Sequence, residues 1–145
     1  MSEQDIAAVR AVIDERLSAI RDRDAARANA MIDLEIVAFE LIPPLALERG
    51  AARDEEATAA WLATFVGPIH VELRDLEVVA SDRVAFAHGL HCLKGTRADG
   101  REVRLWMRST FGLRKRRGKW LITHAHSSVP FRPDDGMRAA LDLEP

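Results

Sequence analysis

Lys115-Arg116-Arg117-Gly118-Lys119-Trp120-Leu121-Ile122-Thr123-His124-Ala125-His126-Ser127-Ser128-Val129-Pro130 is the stretch whose reading decides the fold. A basic tight turn around Gly118 leads into a strand. Side chains in a strand alternate between faces, so Trp120, Ile122, His124, His126 and Ser128 are predicted to share one face that runs from apolar to polar. A core strand that becomes rich in imidazole at one end reads as the wall of a pocket.

The segments before it have the same period of two. Strands are expected over residues 70–79, 83–95, 101–115 and 119–129, broken at Ser81-Asp82, Asp99-Gly100 and Arg117-Gly118. Asp-Gly is a strong hairpin signal, because a type I′ turn needs positive φ at both central residues. The first part of the chain is helical instead. Ser2 caps a helix with Glu3 and Asp5 in its first turn, where the helix dipole favours acids. Ile6, Val9, Ile13, Leu17 and Ile20 follow at helical spacing. A short second helix is expected over 24–31, a strand over 36–41 ended by Pro43-Pro44, and a helix over 54–66 carrying Trp61, Leu62 and Phe65 and stopped by Gly67-Pro68. Helices followed by a strand meander imply an α+β domain.

With two-residue hairpins and no bulges, counting back from each turn gives a register. One row reads Asp75, His88, Phe111, His124, and the next Leu73, Leu90, Ser109, His126. The same face holds Val84, Phe86, Leu113, Trp120, Ile122 and Cys92, and is the face the helices should cover. The opposite face is small (Ala85, Ala87, Gly89, Thr110, Gly112, Ala125), with a charge row of Glu72, His91, Arg108 and Ser127. A small-residue face with ordered charges suits packing against a second copy.

The 145 residues suit one domain with a core of its own. The net charge of −2 gives no reason to expect nucleic acid or an anionic membrane as partner. The basic run Arg114–Arg117 reads as a solvated hairpin tip. A single cysteine, Cys92, excludes an internal disulfide and is read as a buried small hydrophobe. No apolar stretch approaches the roughly 20 residues of a spanning helix, and the N-terminus is polar and acidic. The expectation is a cytoplasmic protein.

Phe39-Glu40-Leu41-Ile42-Pro43-Pro44-Leu45, Gly67-Pro68, Leu105-Trp106-Met107-Arg108-Ser109-Thr110 and above all Gly118 to Phe131 resemble the SnoaL-like, ketosteroid-isomerase-like families of the nuclear transport factor 2-like superfamily. A similar Gly-Lys-Trp…His-x-His-x-Ser ending occurs in the association domain of calcium/calmodulin-dependent kinase II. The resemblance implies a cone: a strongly curved antiparallel sheet wrapped around N-terminal helices, over residues 1–131, with 132–145 as a polar tail. It also implies a cavity at the open end and a homodimer, often formed through the outer sheet face. It does not imply one reaction. Two departures count. The chain has no tyrosine, so an oxyanion hole built on a tyrosine hydroxyl cannot form. Glu40 stands where related sequences tend to carry aspartate, which moves a carboxylate by roughly 1.5 Å, one C–C bond.

Candidate chemistry gathers at one end of the sheet. His124, His126 and His88 can act as acid or base near neutral pH, and Asp75 beside His88 would fix an imidazole tautomer. Glu40 is a further candidate base. Arg108, Ser109, Phe111, Ser128 and Trp61 are candidate ligand contacts, with Arg108 placed outside the cavity in a structural or interface role unless a bulge turns it inward. A zinc site is disfavoured, because His88 and His124 would lie about 9–10 Å apart at a strand spacing of ~4.8 Å. The packing of these histidines as hydrogen-bonded core groups stands beside the functional reading. The function expected is binding of a small, partly apolar molecule without a cofactor. Its enzymatic version is acid–base isomerisation, cyclisation or dehydration of a carbonyl compound. Its rival is a non-catalytic binding or oligomerisation module.

Overall fold

The computed structural model describes residues 2–145. Helix α1 (Glu3–Arg21) is capped by Ser2, whose hydroxyl accepts from the Asp5 N–H, and buries Val9, Val12, Ile13, Leu17, Ala19 and Ile20. Helix α2 (Ala25–Ala30) is capped by Asp24 and α3 (Glu55–Leu62) by Asp54. The strands are β1 (Ile32–Phe39), β2 (Phe65–Ala80), β3 (Val84–Arg97), β4 (Glu102–Arg116) and β5 (Lys119–Ser128), in the order β1-β5-β4-β3-β2. The architecture is the α+β arrangement expected, with one addition: β1 runs parallel to β5 and closes that edge of the otherwise antiparallel sheet. Helix α3 ends earlier than expected. Gly67-Pro68 does not stop a helix but lies within β2, at an irregularity between Val66 and His70. In place of a featureless tail, β6 (Phe131–Arg132) pairs with β7 (Arg138–Ala139), and Ala140 is buried.

The register differs from simple counting at four places. The β2–β3 turn pairs Ala80 with Ala85, a shift of two that keeps the faces. Three further differences each move side chains to the other face, since the side-chain period is two. The β3–β4 loop has three residues, 98–100. The Arg97 N–H donates to the Arg101 carbonyl across it, and Gly100 takes φ 89°. In β2 a bulge separates Arg74 from Glu77, with Asp75 at φ 56°. In β5 a bulge at Thr123 lets Ile122 pair with Leu113 while His124 pairs with Gly112. A bulge sets two residues against one and so reverses the alternation beyond it.

The consequence is a rearranged pair of faces. Ala80, Ala85, Ala87, Phe111, Leu113, Trp120 and Ile122 pack with Val9, Val12, Ile13, Ile32 and Ile36 in the main core. His88, His124 and His126, predicted on this face with Trp120 and Ile122, lie on the opposite, outer one. Phe86, Val84 and Cys92 go with them, and Phe86 and Val84 are exposed. The Glu72–His91–Arg108–Ser127 row does not exist. Glu72 pairs with Cys92, His91 with Leu73 and Met107, and Arg108 with Leu90 and Ser128.

The basic turn is no free tip. Lys115 Nζ donates to Asp5 Oδ1 at 2.9 Å, Trp120 Nε1 reaches the same oxygen at 3.3 Å, and Arg116 Nε meets the buried Asp33 carboxylate at 2.7 Å. The Ser2 hydroxyl, and then Lys115, hold the Asp5 carboxyl below its usual range. These contacts clamp the start of α1 and β1 onto the β4–β5 hairpin.

Candidate functional site

On the inner face, one end of the sheet is polar where the core should continue. Ser109, only 2% exposed, sits between two partners: its Oγ is 3.4 Å from His91 Nδ1 and 2.9 Å from Ser127 Oγ. Leu73 and Met107 flank His91 on the neighbouring strands. Helix α1 adds Arg16. It falls on the inward stripe, four residues after Val12 and four before Ile20.

Two polar atoms here, Arg16 Nε and His91 Nε2, are shielded from solvent and have no hydrogen-bond partner among the described residues. The electrostatics agree with that isolation. Burial, and then the Arg16 charge, push His91 down from 6.5 to about 4, so its ring is neutral at physiological pH. Burial also lowers the Arg16 guanidinium, opposed by the field of Glu40. Both side chains nevertheless keep some accessible surface. They are desolvated groups at the polar end of the inner face, not sealed within the core.

Glu40 follows Phe39 just past the end of β1, two positions beyond the buried Ala38, and is exposed. It is the one sequence-predicted acid whose charge reaches this cluster. Ser109 belongs to the cluster directly, and Phe111 is a core residue deeper on the same face. Trp61 is half-buried and meets Phe65 edge-on at 5.4 Å between ring centroids.

The other predicted site residues assemble on the outer face. Asp75 does not neighbour His88, because the β2–β3 turn pairs Ala80 with Ala85 and so sets Glu77 opposite His88, with Glu77 Oε2 3.4 Å from His88 Nε2. Asp75, Glu77, His88, Gly89, Leu90, Arg108, Ser109 and Thr110 line an open hollow of 470 Å³. Arg108 Nε donates to Ser128 Oγ at 3.1 Å. His124 Nδ1 lies 2.7 Å from the Val37 carbonyl, which only accepts, so Nδ1 carries the proton. Phe39 stands edge-on to both His124 and His126. The three histidines thus do not converge. His124 is a hydrogen-bonding group that ties β5 to β1, and His88 and His126 are exposed.

A different trio, His70, Glu72 and Cys92, has donor atoms within 4.8 Å of one another on the outer face. Burial holds the Cys92 thiol above its usual range, and Lys94, Arg104 and Arg74 lie close enough to oppose a cation there.

Arg16 and His91 are the members of this polar cluster that sequence reasoning did not single out. Arg16 had a signal, a charged residue inside the apolar stripe of α1. His91 had none once a two-residue loop was assumed, since its face follows from loop length alone.

The SnoaL-like domain family matches this chain over residues 9–132. Among solved structures, a nuclear transport factor 2-like protein of unknown function from Pseudomonas putida is 31% identical. The alignment covers 100% of this chain and 99% of that one, with a TM-score of 0.86. A ketosteroid isomerase-like protein from Erwinia carotovora is 20% identical over 88% of this chain and 97% of that one, TM-score 0.71. The association domain of C. elegans CaMKII is 17% identical over 83% and 92%, TM-score 0.63. At those identities the last two speak to fold alone. No curated protein matches.

Proposed function

The chain belongs to the SnoaL-like domain family, and on that premise we propose that it binds a small, partly apolar carbonyl compound in the recess formed by Arg16, His91, Ser109 and Ser127, and moves a proton on it. The observation that carries this reading is the shielded, unpartnered His91 Nε2 on a desolvated ring within the field of the Arg16 cation. With Nδ1–H donating to Ser109, the Nε2 lone pair faces the recess as a base. A proton taken from the carbon next to a carbonyl leaves negative charge on the carbonyl oxygen, and the Arg16 guanidinium is the group to stabilise it. As that charge develops beside Arg16, it cancels the field that depresses His91, so the ring becomes a stronger base in the transition state than at rest. Leu73 and Met107 supply apolar walls. No cofactor is needed for such a step.

Proton exchange tests it. Simple ketones in D₂O should gain deuterium next to the carbonyl when the protein is added. His91→Asn keeps a partner for Ser109 but lacks Nε2, and should cut the rate by about a hundredfold or more. If ketones bind yet exchange no faster than in buffer, the enzymatic version fails and the non-catalytic binding module stands.

The outer face supports a second proposal, a homodimer. Val79, Val84 and Phe86 are exposed there, at 45%, 52% and 48%, in contrast to the small-residue surface expected from counting. An exposed apolar patch of this kind is characteristic of an interface. Phe86→Glu should convert a dimer to monomers by light scattering at micromolar concentration. A mass unchanged by that substitution, or monomeric from the start, removes the idea.

A further inference from the structure

We propose that the ligand of this recess is a monoanion of the carboxylate class, bound as the counter-ion of Arg16. The inference rests on the reading of the recess as a ligand pocket and names what the pocket selects.

Arg16 is placed where a cation is costly. It lies on the helix face that carries Val9, Val12, Ile13, Leu17 and Ile20 into the core, its Nε is shielded and unpartnered, and it is absent from the ion pairs formed among the described residues. An uncompensated buried charge destabilises a fold strongly, and arginine cannot discharge by losing its proton. Retaining it makes sense if a negative group fills the place that no fixed acid occupies.

The donors around it match one class of anion. A guanidinium is a planar fork that meets a carboxylate with two parallel hydrogen bonds. With His91 Nδ1–H donating to Ser109 and the Ser109 hydroxyl to Ser127, the neutral chain of three groups has one proton left, and the Ser127 hydroxyl can donate it to the anion without adding charge. One fixed positive charge beside neutral donors suits a single negative charge better than a phosphate dianion. Leu73 and Met107 beside His91 leave an apolar surface for the rest of the molecule.

Glu40 gives the site a built-in competitor. Its carboxylate is the acid whose field acts on Arg16, yet it forms no ion pair with it among those described and stays exposed. Glu40 therefore lowers the affinity for an incoming anion, and removing its charge should raise that affinity.

Calorimetric titration of the full chain with aliphatic and aryl monocarboxylates of about four to ten carbons, each beside its primary amide and a matched methyl ketone, decides the matter. The expected result is a carboxylate preference over the amide of about tenfold or more. Arg16→Gln should erase the preference and Glu40→Gln should widen it severalfold. If amide, ketone and carboxylate bind alike, or only the neutral compounds bind, the anion assignment is overturned while the pocket reading survives. If none of the three classes binds, the pocket reading itself falls. The comparison on the unmutated protein is decisive even if Arg16→Gln fails to fold.

Discussion

Replacing Arg16 by methionine is expected to raise the unfolding free energy by about 1–4 kcal/mol while abolishing carboxylate binding. The sign is the informative part. A stem of similar length would keep the packing against Val12, Ile13 and Ile20 on α1, and the thioether has no charge to desolvate. In a paired arginine the same change strands a partner and destabilises. Here no carboxylate within ion-pairing distance would be stranded, because Glu40 remains exposed to water. A urea titration reads the effect as a higher midpoint at unchanged slope. A gain in stability coupled to loss of binding identifies Arg16 as a group held at a thermodynamic cost for its ligand. A clear loss of stability would mean that Arg16 is already neutralised within the fold, and would remove the basis for reading it as an unpaired cation.

The sequence carries the elements and the family far better than the faces. Helix α1 with its Ser2 cap, the four long strands and the turn at Gly118 all follow from local chemistry: capping oxygens, alternation and positive-φ glycine. Which side of the sheet a histidine occupies is a cumulative quantity, because every extra residue in a loop or bulge reverses the answer downstream. The three-residue loop at 98–100 sets His88 and His91 on opposite faces from those counted, and Thr123 does the same for His124 and His126. A signal was present, though not the one that alternation supplies. Besides Gly67 in the irregular start of β2, the long strands contain Gly89, Gly95 and Gly112, and each of these three lies opposite an irregularity of its neighbour. A Cβ on Gly89 would come within 3.0 Å of the Arg74 carbonyl oxygen, on Gly95 within 2.8 Å of the Phe65 ring, and on Gly112 within 3.3 Å of the His124 Cβ. Glycine within a strand marks close backbone approach. Read that way, these three locate the bulges, and the small face that Gly89 and Gly112 seemed to build for a second copy disappears.

Stability should fall steeply as pH drops from 6.5 to about 4, and the cause should be one residue. His91 is held neutral by burial first and by Arg16 second, which takes its folded-state value to about 4 against 6.5 in the unfolded chain. Between those values the unfolded chain binds a proton that the folded one refuses. Unfolding is then proton-linked, and stability rises with pH across that window and levels off above it. The full gap is worth about 3 kcal/mol, a large share of the 5–15 kcal/mol typical of a domain. Asp5, Asp99 and Asp142, whose carboxyls lie below their usual range, add losses only at more acid pH, below their ordinary value of 3.8. Urea midpoints measured every half unit from about pH 4 to 7.5 isolate the imidazole when the protein is compared with His91→Asn, which should be nearly flat over the window. Arg16→Met separates the two causes: it removes the charge but leaves the burial, so part of the slope should persist with a midpoint shifted towards neutrality. A saturating carboxylate should shift the midpoint the same way by neutralising Arg16 in place. A slope equally steep in His91→Asn would show that the acid sensitivity lies elsewhere, and that His91 is not the desolvated base on which the proposed proton transfer depends.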